Sequence, residues 1–190
     1  RIHGISKWHW IDKDIIHAIA RELNTETPQI ESFYDGKVTS DISEMIKAFS
    51  GGFVTSQRVK KAMKDVVLSM AREGHLVLVG RGGVSIARDI ADALHVRLIA
   101  PFYWRVENVM KKKGMTVEAA EEYVIDTDEK RFNLIQTFLD KKSVNIDHLF
   151  DVTFNRSSFT IKDTADLIVN MYEKKSARVK EDRKNKGRIV

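Results

Sequence analysis

Residues 75–89, HLVLVGRGGVSIARD, decide how this chain is expected to fold, because they join a strand signal, a glycine-rich turn and a helix start. Residues 76–79 are consecutive apolar residues without polar alternation, which predicts a strand covered on both faces, as in a parallel sheet. Glycines then allow a tight turn. Apolar spacing predicts a helix over 84–94, and residues 96–100 predict a second strand that a proline stops. The stretch therefore predicts a β-loop-α-β unit.

The turn after the first of these strands carries Arg81 between Gly80 and Gly82. Backbone N–H groups at a helix N-terminus, beside a guanidinium group, are suited to holding a phosphate or a carboxylate. The alternative is that the glycines serve only the geometry of the chain. Two sharper nucleotide motifs are absent, because the sequence contains no G-x-x-x-x-G-K-[ST] and because G-x-G-x-x-G fails at Ser85. The turn is a candidate anion site.

The rest of the chain alternates helices with short strands. Apolar spacing and capping residues predict a helix that Asp12 caps and that ends near Asn24, further helices over 57–73, 104–113, 117–139 and 161–174, and a strand over 150–155. Residues 25–56 are less regular, with one predicted helix over 41–49, and are interpreted as a small mobile subdomain. The predicted class is α/β, with helices around a short, mostly parallel sheet.

Composition excludes several classes of protein. The chain has 190 residues, of which 43% are hydrophobic, so it can bury a substantial core in one domain. It has no cysteine, no apolar run long enough to span a membrane and no signal peptide in its first residues. The six histidines are scattered, without metal-ligand spacing. We therefore expect a cytoplasmic protein with no membrane partner and no metal site of its own.

The net charge of +5 is concentrated at the C-terminal end. Residues 174–190 hold eight Lys and Arg against two acidic residues, which leaves residues 1–173 close to neutral. We expect one domain over 1–173 and a basic tail over 174–190, which is either solvated or a continuation of the last helix. A nucleic-acid partner is not expected, and the open alternative is a tail that binds RNA or an acidic partner.

Four segments, in this order, resemble the cytidylate kinase-like family of nucleoside-monophosphate kinases. They are WIDKDII at 10–16, VLVGRGG at 77–83, the stretch from HVRLIAPF to TDEKR at 95–131, and FDVTFNRSSFTIKDTADLIV at 150–169. The resemblance implies a three-layer, P-loop-kinase-like α/β fold. It also implies a monophosphate-binding subdomain at about 25–56 and a helical lid at about 105–140.

The resemblance implies acceptor-side residues only where the motifs match. Gly80 and Arg81 match a Gly-Arg-Asp turn that holds the phosphate of the acceptor nucleotide, while Gly82 stands in the place of the aspartate. Asp12 matches the acidic residue that opens the monophosphate-binding region, but the arginine expected six places later is Ala18. The acceptor side is thus partly kept and partly altered, which leaves the choice of base open.

The family's lid motif, Arg-x-x-x-Asp-x-x-Arg, is matched at Asp128 and Arg131, with Val124 in the place of the first arginine. The resemblance implies that Arg131 neutralises the transferred phosphoryl group and that Asp128 orients the lid or a sugar hydroxyl. The turn before the last helix corresponds to the family's Asp-Ser-Thr, and its cofactor-binding candidates are Asn155, Arg156 and Ser157.

The implied activity is transfer of the ATP γ-phosphoryl group to a nucleoside monophosphate, with CMP the expected acceptor and Mg²⁺ accompanying ATP. Arg105 is added as a catalytic candidate and Arg88 as a substrate-binding candidate, although either could equally be a solvated helix charge. The family's glycine-rich donor loop is expected before Arg1, so this stretch alone is expected to be inactive. The two alternatives are a truncated stretch of an active kinase and a non-catalytic nucleotide sensor that has lost the donor site.

Overall fold

The computed structural model describes residues 8–11, 14–24, 26–27, 56–139 and 145–186. Its elements, in chain order, are β1 (His9–Ile11), α1 (Asp14–Glu22), α2 (Ser56–Glu73), β2 (Leu76–Leu78), α3 (Gly83–Ile86), β3 (Val96–Ile99), α4 (Phe102–Lys113), α5 (Val117–Thr137), a 3₁₀ helix (Ile146–Leu149), β4 (Val152–Asn155) and α6 (Ile161–Lys186). These helices and short parallel strands agree with the predicted α/β class. The capping residue Asp12, the predicted helix over 41–49 and nearly all of the predicted subdomain over 25–56 lie outside the described residues.

The chain forms two compact units. The β1–β2 unit comprises His3–Ala87 and Asp128–Lys142, and the β3–β4 unit comprises Arg88–Thr127 and Ser143–Val190, together with Arg1–Ile2. The first part of helix α5, up to Thr127, therefore belongs to the β3–β4 unit, and its last part, from Asp128, belongs to the β1–β2 unit. The single domain over 1–173 stays a prediction.

In the β1–β2 unit the two strands pair in parallel, with Trp10 opposite Val77. One face packs on the helices, where Leu78 contacts the core. The other face is open within the described residues, since the exposed fractions are 66% for Trp10, 46% for Val77 and 45% for Val79. The prediction of a strand covered on both faces is therefore wrong for β2, because the described helices cover only one face.

The core of the β1–β2 unit lies between α1 and α2. Ile15 and Ile19 of α1 and Met63 and Val67 of α2 are completely buried. Burying one such side chain contributes about 1.5–3 kcal/mol relative to leaving it in water. The apolar faces predicted for both helices from their 3.6-residue spacing are confirmed.

In the β3–β4 unit the strands also pair in parallel, from Val96 opposite Val152 to Ile99 opposite Asn155. Its helical hairpin, α4 and α5, buries a small apolar cluster of Val106, Ala120 and Val124. Helix α4 ends as predicted at Gly114, which has a φ of 66° and donates its N–H to the carbonyl of Met110 at 2.8 Å.

The helix predicted over 84–94 is wrong in its extent, because α3 ends at Ile86. The N–H of Ala87 closes the last turn on the carbonyl of Gly83, and the chain then passes from one unit to the other. Asp89 and Asp92 follow, and short carboxylate side chains favour turns over helix interiors. Asp92 lies 3.7 Å from the guanidinium of Arg183 in α6.

Helix α6 begins with the predicted capping box. The hydroxyl of Thr160 accepts a hydrogen bond from the N–H of Asp163 at 3.1 Å, and the carboxylate of Asp163 accepts one from the N–H of Thr160 at 3.2 Å. The helix runs to Lys186, so residues 174–186 of the basic segment continue the last helix, which was one of the two alternatives. Within the described part of the chain, no helix has the length and hydropathy needed to cross a membrane.

Candidate functional site

The turn after β2 holds three consecutive residues in the left-handed conformation. The φ angles are 69° at Gly80, 55° at Arg81 and 69° at Gly82. A residue with a Cβ atom adopts this conformation at a cost of about 1–2 kcal/mol, so the turn fixes Arg81 against its own preference. Arg81 is half-buried and follows the carboxyl end of a parallel strand, where ligands bind in α/β folds.

The backbone of this turn is largely bonded to itself. The N–H of Gly83 donates to the carbonyl of Gly80 at 2.9 Å, and the N–H groups of Ser85 and Ile86 donate to the carbonyl of Gly82. Helix α3 has only four residues, so its dipole is small. The expected anion cradle of free N–H groups is therefore wrong for Gly83 and Ser85, and Arg81 contributes the positive charge of this turn.

The turn also packs tightly against neighbouring side chains. A Cβ atom at Gly82 would lie 2.9 Å from the Phe138 ring, and one at Gly83 would lie 2.6 Å from Leu78. Gly82 stands where the resembling family has an aspartate, so Phe138 occupies the space that an aspartate would need. No local sequence pattern indicates this contact, because Gly82 and Phe138 are 56 residues apart.

Asp128 and Arg131 lie on α5 in the same unit as this turn. The carboxylate of Asp128 is 3.9 Å from the guanidinium of Arg131, and the side chains are 46% and 72% exposed. This confirms that they share a helix face. A pair this exposed is worth only a few tenths of a kcal/mol in stability, so any larger role of Arg131 must come from a ligand.

Val124 occupies the place of the first lid arginine. It is 4% exposed and packs in the apolar cluster between α4 and α5 with Val106 and Ala120. The position that carries a charge in the resembling family therefore serves hydrophobic packing in this chain.

Arg105 and Arg88 belong to the β3–β4 unit, apart from the unit that contains Arg81. Arg105 is half-buried in the first turn of α4, where its N–H donates to the carbonyl of Pro101 at 3.1 Å. The Nε of Arg88 lies 3.5 Å from the carboxylate of its neighbour Asp89. Their proposed roles stay predictions.

The turn after β4 holds the cofactor-binding candidates in a network of local hydrogen bonds. The carbonyl oxygen of the Asn155 side chain accepts from the N–H of Ser157 at 3.1 Å and from its hydroxyl at 2.7 Å. The guanidinium of Arg156 donates to the carbonyl of Phe159. Each of the three residues thus takes part in hydrogen bonds that stabilise the turn, and their role in binding a cofactor stays a prediction.

A polar network at the opposite end of β4 was missed by the sequence analysis. The carboxylate of Asp151 accepts a hydrogen bond from the N–H of His95 at 2.7 Å and bonds the ammonium of Lys175 at 2.7 Å. Burial acts to raise the pKa of Asp151, but the hydrogen bond from His95 and the hydrogen bond and charge of Lys175 outweigh it and lower the pKa. No local motif signals this network, because its members come from three segments.

The resemblance implies ATP and Mg²⁺ as cofactors. The 190 residues contain no Walker A motif. Within the described ranges, no cluster of three or more His, Asp or Glu side chains is arranged to hold a metal ion. The described residues therefore do not fit a magnesium site of the protein's own.

Comparison with known proteins identifies the class of the chain. The family model of the cytidylate kinase-like family matches residues 7–158. Because that match covers most of the sequence, the chain belongs to the cytidylate kinase-like family, as its motifs indicate.

One curated relative is a uronate isomerase from Corynebacterium glutamicum. It is 29% identical over 120 residues, which are 63% of this chain and 23% of that protein. The chain thus spans less than a quarter of the length of this relative, and the relative's name describes that protein alone.

Proposed function

We propose that the protein is a nucleoside-monophosphate kinase-like phosphotransferase that moves the ATP γ-phosphoryl group to CMP or a related monophosphate. The observation that carries the proposal is the strained Arg81 turn at the carboxyl end of β2, in a chain of the cytidylate kinase-like family. An arginine kept in a left-handed turn, where glycine or asparagine would be less strained, points to a use for its charge.

In this proposal the monophosphate lies with its phosphate on the guanidinium of Arg81. Guanidinium and phosphate form charged, bidentate hydrogen bonds, and this geometry suits a planar fork better than an ammonium group. Asp12 and the backbone at Gly80 and Gly82 complete the acceptor side. The β2 turn itself positions the phosphate and offers few further backbone N–H donors, because much of its backbone is already bonded.

Arg131 supplies positive charge to the phosphoryl group during transfer, and Asp128 orients Arg131. Phosphoryl transfer depends mainly on positioning and charge neutralisation, which makes an exposed arginine on a helix a suitable contributor. Arg105 and Arg88 are proposed to add positive charge on the β3–β4 unit. The turn of Asn155, Arg156 and Ser157 is proposed to contact the donor nucleotide.

The first test is the affinity of the full-length gene product for CMP. Arg81→Ala should weaken CMP binding by about 1.5–3 kcal/mol, which is roughly tenfold to a hundredfold, because a charged hydrogen bond to the phosphate is lost. Isothermal calorimetry measures this change. The control is Arg72→Ala, which removes an exposed arginine from the end of α2 and should leave CMP affinity unchanged. Unchanged affinity in Arg81→Ala would remove Arg81 from the acceptor site.

The second test is turnover by the same full-length product. ATP, Mg²⁺ and each nucleoside monophosphate are supplied, and formation of the diphosphate is followed. Turnover supports the kinase, and the preferred monophosphate gives the acceptor base. Binding of CMP without turnover instead supports a nucleotide sensor with a kinase-like fold.

A further inference from the structure

The Arg81 turn rests directly on the C-terminal end of α5. A Cβ atom at Gly82 would lie 2.9 Å from Cδ2 and 3.0 Å from Cε2 of Phe138, and 3.7 Å from Cγ of Leu134. A side chain at position 82 would overlap the ring, so the turn backbone and the Phe138 ring are already in contact. The residue next to Arg81 is thus held by the end of the helix that carries Asp128 and Arg131.

A hydrogen bond fixes the same two segments to each other. Ser85 is 4% exposed, and its hydroxyl donates to the carbonyl of Ile135 at 2.9 Å. Ile135 lies in the last turn of α5, and its carbonyl also accepts the N–H of Phe138 at 3.3 Å. Ser85 is therefore a second donor to this carbonyl, and its hydrogen bond joins the segment that follows the Arg81 turn to the end of α5.

The Phe138 ring is held by a second neighbour as well. The ammonium group of Lys60 in α2 lies 5.8 Å from the centre of the ring, within the range of a cation–π contact. Phe138 and Leu134 also pack against the core between α1 and α2. The Phe138 ring thus contacts the core on one side and the Arg81 turn on the other, so packing against the core positions the turn.

We propose that Phe138 and Ser85 are positioning residues, which hold Arg81 in its left-handed conformation and join the turn to the α5 segment that carries Asp128 and Arg131. The consequence of this inference for nucleotide binding rests on the proposed function. Arg81 has a φ of 55°, and a non-glycine residue keeps such a conformation only where its surroundings impose it. Loss of the support frees the turn, and the guanidinium then loses its fixed direction.

The first arm of the test needs no ligand. Hydrogen exchange of the Arg81 and Gly82 amides is measured in the full-length product and in Phe138→Ala, Ser85→Ala and Phe132→Ala. We expect about tenfold faster exchange in the first two variants, because the turn opens locally when its support is removed. Phe132, an aromatic residue of α5 with 52% exposure, is the matched control and should change nothing.

The second arm measures CMP affinity. Phe138→Ala should weaken binding about fivefold to tenfold, Phe138→Leu should restore most of the loss, and Phe138→Ala should add less than about twofold when Arg81→Ala is already present. A merely structural defect would weaken binding equally in both backgrounds. Equal losses, or no loss at all, would overturn the positioning role.

The two arms separate the inference from the proposed function. If Arg81→Ala leaves CMP affinity unchanged, the acceptor assignment fails, and the exchange arm alone decides whether Phe138 and Ser85 support the turn. Unchanged exchange at Arg81 and Gly82 in both variants overturns the support. If Phe138→Ala does not fold, Ser85→Ala carries the same measurements, since it removes one hydrogen bond and leaves the apolar packing in place.

Discussion

Two turns of this protein occupy equivalent places in their units, but different kinds of side-chain contact stabilise them. The turn at Gly80–Gly83 and the turn at Asn155–Thr160 each follow a parallel strand and lead into a helix. The first is built of three glycines and an arginine, and residues at the C-terminal end of α5, 50 or more positions away, support it. The second is closed by its own side chains, through Asn155, Arg156 and Thr160.

The difference shows which contacts determine the conformation of each turn. The side-chain bonds that shape the β4 turn join residues within a few positions of each other, while the N–H of Arg156 also donates to the carbonyl of Ile99 in β3 at 2.7 Å. The β2 turn also has local backbone bonds, but its side-chain contacts with Phe138 and Ile135 exist only in the folded unit. A turn that depends on distant support can also respond to movement of that support, which a locally closed turn cannot do.

The largest expected effect comes from placing a methyl group on the remotely supported turn. Gly82→Ala should lower the free energy of unfolding by about 2–4 kcal/mol, because the Cβ atom meets both an unfavourable φ and the Phe138 ring. Gly80→Ala is the matched control, since Gly80 has the same φ of 69° and nothing within 4 Å of a Cβ atom. It should cost only about 1 kcal/mol. Denaturant unfolding measures both, and equal losses would show that the ring gives way.

A smaller effect is expected at the amino end of β4, where Asp151 joins His95 and Lys175. Asp151→Asn should lower the free energy of unfolding by about 1.5 kcal/mol at pH 7, a value that allows for screening, since the carboxylate side chain is 34% exposed. Asp182→Asn, at an exposed position of α6, is the control and should change little.

The pH dependence of this effect has a definite sign. The pKa of Asp151 in the folded protein lies below its ordinary value of 3.8, so the contribution is present above that value. It is lost as the pH falls through the folded-state pKa. The stability difference between the natural protein and Asp151→Asn should therefore persist from pH 7 to about pH 5 and shrink below about pH 4. A difference that stays constant to pH 3 would contradict the role of the ionised carboxylate.

The smallest effect is expected at the locally closed turn. Thr160→Ala should cost about 1 kcal/mol in the free energy of unfolding, because the N-terminal cap of α6 is lost while the rest of the turn keeps its bonds. Hydrogen exchange should rise in the first turn of α6 only. Ser158→Ala, at an exposed neighbouring position, serves as the control. Faster exchange at Arg81 as well would contradict the independence of the two turns.

The features that were predicted correctly are those whose partners are close in sequence. The capping box of Thr160 and Asp163, the end of α4 at Gly114 and the apolar faces of α1 and α2 all follow from spacings of three or four residues. The exposed face of β2 was not predicted, because a run such as residues 76–79 does not show which side its neighbours cover. The end of α3 was missed for a similar reason, since the chain changes units at Arg88.

The candidate site likewise has features that could be predicted from the sequence and features that could not. A tight turn around Arg81 and the shared helix face of Asp128 and Arg131 were predictable from glycine positions and helical spacing. The contact of Gly82 with Phe138 was not, because it joins segments that only the fold brings together. The burial of Val124 likewise depends on how α4 and α5 pair.

The contact between Gly82 and Phe138 also constrains how this protein can evolve. An aspartate at position 82, as in the Gly-Arg-Asp turn of the resembling enzymes, would place its Cβ atom against the Phe138 ring. The Phe138 ring would have to move, or be replaced by a smaller side chain, before an aspartate could fit at position 82. We therefore expect relatives with an aspartate at the first position to carry a smaller residue at the second.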